Sequence, residues 1–292
     1  MGREWIENDC LKVGINTVGA VMFSLQDSAG KEYLWQGDEA IWKNQDVEIF
    51  PYIARLTEGK YTFQGKTYSM GRHGILVGRE LQVADQKKDR LTLRLRSDDD
   101  TRRSYPFEFV YEITFLLVDN HLKVQYHIQN LCDTPMYFAV GGHPGFQVPI
   151  DKMLDFTDYY LQFEDGVVPK QVGFTPQCFL DGTLREYPLD SKNRIALHHG
   201  LFDDDAIVLL DAGSSVELGS DRDHHKIRVV FPDMKYVGFW HMPRLEAPYV
   251  CIEPWSSLPS RQDIIEDFEK QENLLSLEGR GEYHNEWSIE IF

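Results

Sequence analysis

Hydrophobic and polar residues alternate along much of this chain, which is the pattern of a β-strand with one buried and one solvated face. Apolar side chains occupy every second position in five segments, and polar side chains fill most of the positions between them. These segments are residues 91–95, 113–117, 122–128, 227–231 and 287–291. We expect each of them to form a strand.

Turn-forming residues separate the alternating segments, as expected for a series of hairpins. Gln64-Gly65 in KYTFQGKTYSM is typical of a hairpin tip, and Asp119-Asn120 separates segments 113–117 and 122–128. Helical periodicity is scarce, and its best candidate is residues 263–277, where an apolar stripe predicts at most a few turns. Because no linker, low-complexity stretch or repeat divides the chain, we predict an all-β fold with one large antiparallel β-sandwich domain spanning residues 1–292.

Composition limits the classes of partner. Hydrophobic residues make up 42% of the 292 positions, which is enough for a sizeable core. The net charge of −17 suits a soluble surface and disfavours nucleic acid and membrane partners, because their phosphates carry the same sign.

Four widely spaced cysteines predict reduced core thiols. The absence of a signal-like segment or an 18-residue apolar segment predicts a cytoplasmic protein.

One histidine stands at a position where the backbone is tightly constrained. In YFAVGGHPGFQVP, His143 follows a predicted strand and a glycine pair, and Pro144 prevents the ladder from continuing. A rigidly held imidazole suits proton transfer near neutral pH. The alternative interpretation is a histidine that only caps a turn.

A carboxylate follows a second apolar strand, in APYVCIEPWSSLP. Glu253 is expected where this strand stops, beside Trp255. Burial near an aromatic ring raises the pKa of a carboxyl group and makes it a better base, and an indole stacks well on the apolar face of a pyranose. The alternative is a glutamate in a surface salt bridge.

Two further residues are candidates to bind a polyhydroxylated ligand. Arg55 follows the apolar run in IFPYIARL, and His73 precedes Gly74 in SMGRHGIL. The alternatives are an ion pair for Arg55 and a turn position for His73. The sequence predicts no metal site, because the adjacent pairs His198-His199 and His224-His225 would point to opposite faces of a strand. Nucleotide-binding and serine-hydrolase motifs are also absent.

Taken together and in order, these stretches resemble the aldose 1-epimerase (galactose mutarotase) family, and more closely its LacX-like branch. The resemblance covers nearly the whole chain: GAVMFSLQD with EYLWQGD, FPYIARL, the HG of GRHGIL, YPFEFVYEITFLL, GGHPGFQVP and VCIEPW. It implies a galactose mutarotase-like supersandwich that interconverts the α and β anomers of a hexose such as galactose or glucose. The implied partner is a small sugar, no cofactor is expected, and a monomer and a homodimer remain equally open.

The resemblance also assigns roles to individual residues. It implies that His143 is the catalytic acid and Glu253 the catalytic base, and that Arg55 and His73 hold the sugar. The family's sugar-binding aspartate falls in LFDDDAIVLL, where we choose Asp205 because it is the one nearest the following apolar run. The alternative for this acidic triplet is a solvated turn.

Two departures from the family pattern leave the substrate open. Many relatives carry an arginine four residues after the HG histidine, where this chain has Val77, and Arg79 follows two positions later. After EPW the chain continues as SSLPSRQD, which predicts a different pocket rim. One alternative is therefore a hexose 6-phosphate epimerase, which would need converging cations. Candidates for these cations are Arg72, Arg79, Arg102 and Arg103. The other alternative is a carbohydrate-binding sensor without catalysis on the same scaffold.

Overall fold

Antiparallel strands make up most of the molecule. The computed structural model describes residues 2–292, of which 46% lie in strands and 5% in helix. The strands, in chain order, are β1 (Arg3–Glu7), β2 (Leu11–Asn16), β3 (Val21–Asp27), β4 (Lys60–Phe63), β5 (Lys66–Ser69), β6 (Gln82–Gln86), β7 (Arg90–Arg96), β8 (Phe109–Val118), β9 (His121–Asn130), β10 (Met136–Phe138), β11 (Gly145–Gln147), β12 (Tyr160–Phe163), β13 (Lys170–Phe174), β14 (Leu180–Glu186), β15 (Arg194–Ala196), β16 (Ile207–Leu210), β17 (Ser215–Gly219), β18 (Ile227–Val230), β19 (Tyr236–Trp240), β20 (Tyr249–Trp255), β21 (Glu266–Asp267), β22 (Leu275–Leu277) and β23 (Glu282–Ile291). The helix α1 spans Asp99–Ser104, and short 3-10 segments lie at Thr57–Gly59, Phe156–Asp158 and His199–Phe202.

Two large sheets form the sandwich. The nine-stranded sheet has the order β15-β12-β17-β18-β23-β9-β8-β7-β6, and the six-stranded sheet has the order β11-β20-β19-β16-β13-β14. Side chains of both sheets belong to one apolar core, and Phe163 of the first contacts Phe239 of the second with ring centroids 5.9 Å apart. This confirms the all-β fold and the alternating segments, because β7, β8, β9, β18 and β23 each bury their apolar positions.

Three smaller sheets surround this sandwich: β1-β2-β3, β10-β22, and β21-β4-β5. The hairpin predicted at Gln64-Gly65 joins β4 to β5, and both residues have positive φ (48° and 71°), as a two-residue hairpin turn requires. The turn at Asp119-Asn120 joins β8 to β9, and of these two residues Asp119 has a positive φ, 51°.

The expectation of a helix in residues 263–277 is wrong. This stretch contains β21 and β22 with turns between them, and β21 pairs in parallel with β4. Phe268 contributes to this conformation, since its ring is buried and stacks on Tyr61 with centroids 3.7 Å apart. Helix α1 was not predicted because it lacks an apolar stripe; the side chain of Asp98 caps it by accepting from the Thr101 amide at 2.7 Å.

The cysteines are free thiols, as expected, but only Cys251 is a fully buried core residue. Cys10, Cys132 and Cys178 are partly exposed. No helix within residues 2–292 has the length and hydropathy needed to cross a membrane.

Candidate active site

His143 is held by a backbone with no room for side chains on the two preceding residues. A Cβ atom at Gly142 would lie 2.4 Å from the Trp287 ring, and one at Gly141 would lie 2.7 Å from the Pro254 carbonyl oxygen. Contacts this short are forbidden, so only glycine permits the path. The structure therefore shows that the glycine pair allows close packing of the backbone directly before His143.

Glu253 lies within strand β20, two residues before its end at Trp255. The expectation that the strand stops at Glu253 is wrong, because pairing with β19 continues through Pro254 and Trp255. Proline still supplies an acceptor, and the Pro254 carbonyl accepts a hydrogen bond from the Gly142 amide at 3.2 Å. This bond joins the histidine segment to the glutamate strand.

The two side chains meet below the surface. His143 Nε2 lies 3.3 Å from Glu253 Oε2, and the two residues expose only 8% and 1% of their surfaces. Within residues 2–292, neither His143 Nδ1 nor Glu253 Oε2 has a hydrogen-bond partner of good geometry. A buried acid–base pair with unused polar atoms makes this a candidate site for a polar ligand.

Burial shifts both groups toward their neutral forms. The Trp42 ring stacks on His143 at a centroid distance of 5.3 Å, and desolvation lowers the pKa of His143 to about 4. Burial also raises the pKa of Glu253 well above its ordinary value, and the negative charges of Asp205 and Asp46 add to this shift. The pair therefore retains a single proton over a wide range of pH.

A cavity of about 450 Å³ opens above this pair, within the size range of small-molecule sites. All of the other residues predicted for the site line it: Arg55, His73, Asp205 and Trp255. Residues distant in sequence are thus brought to one cavity. The buried Nε1 of Trp255 has no hydrogen-bond partner within the described chain, which leaves it available to a ligand hydroxyl.

Arg55 is only partly engaged by protein groups. Its Nη1 donates to the Gln177 carbonyl oxygen at 3.0 Å, and its Nη2 lies 4.0 Å from Asp205 Oδ2. The buried Nε has no partner among residues 2–292. The guanidinium therefore keeps donors free for a ligand in the cavity.

His73 occupies a turn position and also lines the cavity. The two interpretations of this residue, as a turn residue and as a ligand-binding residue, are therefore compatible. Its φ is 61°, and Gly74 after it has φ 87°, where a Cβ would lie 2.0 Å from the Phe50 carbonyl oxygen. The His73 ring meets the His143 ring edge-on at 5.5 Å. Burial, with nearby positive charge, lowers the pKa of His73 well below its ordinary value, so this imidazole is neutral at pH 7.

Of the three candidate aspartates, Asp204 and Asp205 line the cavity and Asp203 does not. Asp205 has φ 80°, and its Oδ2 accepts a hydrogen bond from the Cys178 thiol at 2.7 Å. Burial and the carboxylate raise the pKa of Cys178 to about 11, so the thiol stays protonated and continues to donate.

Several residues that we did not predict also shape the site. Trp42 and Trp240 enclose the His143 ring, and Asp46 accepts hydrogen bonds from the backbone amides of Met22 and Val47 at 3.1 and 2.8 Å. Asp46 is fully buried, close enough to Glu253 for its charge to affect the pKa of that residue. A tryptophan in the mostly polar stretch DEAIWKNQDVE was the available sequence signal for this part of the site.

Comparison with known proteins agrees with this geometry. A family model described as aldose 1-epimerase matches residues 5–267. The chain belongs to the aldose 1-epimerase family. Membership of this family implies isomerase activity. It does not specify which sugar is the substrate.

Individual relatives of this aldose 1-epimerase family member cover nearly its full length. The protein LacX (chromosomal) of Lactococcus lactis subsp. lactis is 27% identical over 286 residues, which is 94% of this chain and 95% of the relative. A galactose mutarotase related enzyme from Lactobacillus acidophilus is 31% identical with a TM-score of 0.94, covering 100% of this chain and 97% of that structure. A galactose mutarotase-like protein from Lactobacillus casei is 28% identical with a TM-score of 0.93, covering all of both chains.

Some of the positions where the sequence departs from the family pattern lie at the cavity of this aldose 1-epimerase family member. Val77 lines the cavity, whereas Arg79 binds Asp100 at 2.5 Å. Arg102 and Arg103 are likewise paired with acidic residues of α1 and its surroundings. Of the four arginines considered for a phosphate, only Arg72 lines the cavity. Pro259 is the part of SSLPSRQD that reaches the rim.

Proposed function

We propose that this protein is an aldose 1-epimerase that interconverts the α and β anomers of a hexose such as galactose or glucose. The observation that carries the proposal is the buried contact of 3.3 Å between His143 Nε2 and Glu253 Oε2 in a cavity of about 450 Å³. Opening a pyranose requires a base near O1 and an acid near the ring oxygen. Because both oxygens are bonded to C1, the two catalytic groups have to lie close together.

The proposed reaction moves one proton at each group. The Glu253 carboxylate removes the proton from the C1 hydroxyl, the C1–O1 double bond forms, and the bond from C1 to the ring oxygen breaks. The ring oxygen takes a proton from the His143 imidazolium. The open aldehyde rotates about C1–C2, and closure on its other face reverses both transfers. Opening leaves Glu253 protonated and His143 neutral, which is the form that desolvation favours.

Binding roles follow from the donors and acceptors around the cavity. We assign sugar hydroxyls to Arg55, His73 and Asp205, whose polar atoms face the cavity or have no other full set of partners. Trp255 supplies an aromatic wall. A sensor without catalysis would need these binding groups but not an acid and a base in contact, so we prefer the enzyme.

The direct test is polarimetry. Purified protein is expected to speed the decay of optical rotation of freshly dissolved α-D-galactose or α-D-glucose above the spontaneous rate, because the acid–base pair lowers the barrier to ring opening. Sugar binding by calorimetry without any acceleration would contradict the enzyme and favour the sensor. Absence of both would contradict either form of the proposal for these sugars.

A neutral sugar is expected to be the better substrate. α-D-glucose should react with at least about tenfold higher kcat/KM than α-D-glucose 6-phosphate, since Arg79, Arg102 and Arg103 are committed to acidic residues away from the cavity. Paired assays on the two compounds measure this ratio. A preference for the phosphate ester would overturn the choice and make Arg72 the first residue to replace.

The pH dependence of kcat/KM is expected to be bell-shaped, because the active pair holds one proton. Activity falls at low pH as a second proton binds; burial lowers the pKa of His143 to about 4, so this limb lies below the pH of about 6.5 at which an ordinary histidine titrates. It falls at high pH as the last proton leaves, above the ordinary range of glutamate. Initial polarimetric rates, corrected for the spontaneous reaction at each pH, give the profile. An acid limb near 6.5 would contradict the proposed desolvation of His143.

A further inference from the structure

Outside the catalytic cavity, two histidines and two glutamates form a cluster on the outer face of the nine-stranded sheet. Strand pairing places Glu112 of β8 opposite His127 of β9, and His127 opposite His284 of β23. Glu282 precedes His284 by two residues and so faces the same side of the sheet. None of these four residues lines the cavity of about 450 Å³.

Three of the side chains converge. Glu282 Oε2 lies 3.1 Å from His127 Nε2 and 3.7 Å from His284 Nε2. Zinc bonds of about 2.0–2.2 Å in a tetrahedral arrangement place neighbouring ligand atoms about 3.4 Å apart. The observed separations lie on either side of that value. The His127 and His284 rings are stacked nearly parallel, with centroids 4.5 Å apart, so binding of one zinc ion by both requires the exposed His284 ring to rotate out of this stack.

The fourth residue orients the cluster. Glu112 lies 2.9 Å from His127 Nδ1, and Arg94 holds Glu112 by a hydrogen bond of 2.6 Å. A carboxylate on one imidazole nitrogen is the common arrangement behind metal-bound histidines, because it fixes the proton on that nitrogen. His127 Nε2 is then left with a lone pair that faces the Glu282 carboxylate. Two acceptors at this distance repel each other unless a cation, either a proton or a metal ion, lies between them.

We propose that His127, His284 and Glu282 form a binding site for a divalent transition metal ion, namely Zn²⁺. Two imidazoles and one carboxylate are a set that zinc accepts, and the fourth position would take a water molecule. His284 exposes 68% of its side chain, so an ion reaches the site from solvent. No local sequence motif indicates this metal site, since 155 positions separate His127 from Glu282.

Isothermal titration of chelator-treated, full-length protein with zinc chloride at pH 7.5 tests the proposal. The wild-type chain is expected to show saturable binding that is weakened at least tenfold by His127→Ala and by His284→Ala. Thermal unfolding of the same variants should show that zinc raises the Tm of the wild type but not of His284→Ala. Both readouts are independent of sugar turnover, so their failure is distinct from failure of the proposed function.

A matched control lies on the same two strands. His121 Nε2 is 3.4 Å from Glu290 Oε1, but no second histidine completes that pair. His121→Ala should therefore bind zinc with the affinity of the wild type. The proposal is overturned if the wild type shows no saturable binding, which would mean that only a proton occupies the cluster. It is also overturned if His127→Ala and His284→Ala bind as well as the wild type.

Discussion

Glu253→Gln is expected to reduce the catalysed rate of anomer interconversion by about 10²–10⁴-fold, the usual contribution of one general acid–base group. Glutamine keeps the shape of the side chain and lacks the ability to accept the O1 proton. The buried strand β20 and the wall formed by Trp255 stay in place, so sugar affinity is expected to change much less than the rate. Polarimetry gives the rate, and calorimetry with the same sugar gives the affinity.

A second buried glutamate provides the control. Glu48 exposes only 1% of its surface, and its Oε2 accepts from the Tyr126 hydroxyl at 2.7 Å, outside the catalytic cavity. Burial and the charge of Asp46 raise the pKa of Glu48 well above its ordinary value, which favours its neutral form, and glutamine is a neutral side chain of the same shape. Glu48→Gln should therefore keep most of the activity. If Glu253→Gln were as active as Glu48→Gln, the assignment of the base would be wrong.

Trp287→Ala is expected to lower the free energy of unfolding by about 3–5 kcal/mol, the range for truncating a large buried aromatic residue. Trp287 is fully buried, and its Nε1 donates to the Tyr126 hydroxyl at 3.0 Å. The substitution removes the packing of the ring and leaves the Tyr126 hydroxyl without that donor. Because the ring also supports Gly142, the segment that carries His143 loses its backing.

Urea unfolding followed by fluorescence and circular dichroism measures this loss. Trp5→Ala serves as the control, since Trp5 exposes 41% of its surface and its removal is expected to cost about 1 kcal/mol or less. Polarimetry below the unfolding transition should also show reduced activity for Trp287→Ala alone. Equal stabilities for the two variants would contradict the role of Trp287 as the support behind the glycine pair.

The sequence predicted best those features that depend on local chemistry. Alternation located the long strands such as β9 and β23, because a sheet with one wet face has to repeat every two residues. Turn residues located hairpins, since Gln64-Gly65 adopts the positive φ values that such a turn needs. The apolar stripe from residue 263 misled because long-range pairing with β4 outweighed helical periodicity.

The sequence predicted which residues belong to the candidate site better than it predicted how their side chains are arranged. Glycines and prolines indicated that His143 is rigidly held, and the family resemblance connected it to Glu253. Their contact depends on pairing between strands more than 100 positions apart, as between Gly145 and Cys251, which no local pattern encodes. Trp42 and Asp46 were missed for the same reason, because nothing in their neighbourhood identifies which distant group they will cover.

The position of β23 in the nine-stranded sheet affects how this protein folds during its synthesis. It lies between β18 and β9, yet residues 282–291 leave the ribosome after every other strand described here. Until they emerge, the largest sheet of a nascent chain has two additional open edges, at β18 and β9, and the Trp287 ring is not yet packed against Gly142. A chain that terminates before β23 should therefore aggregate, rather than fold into a destabilised form of the protein.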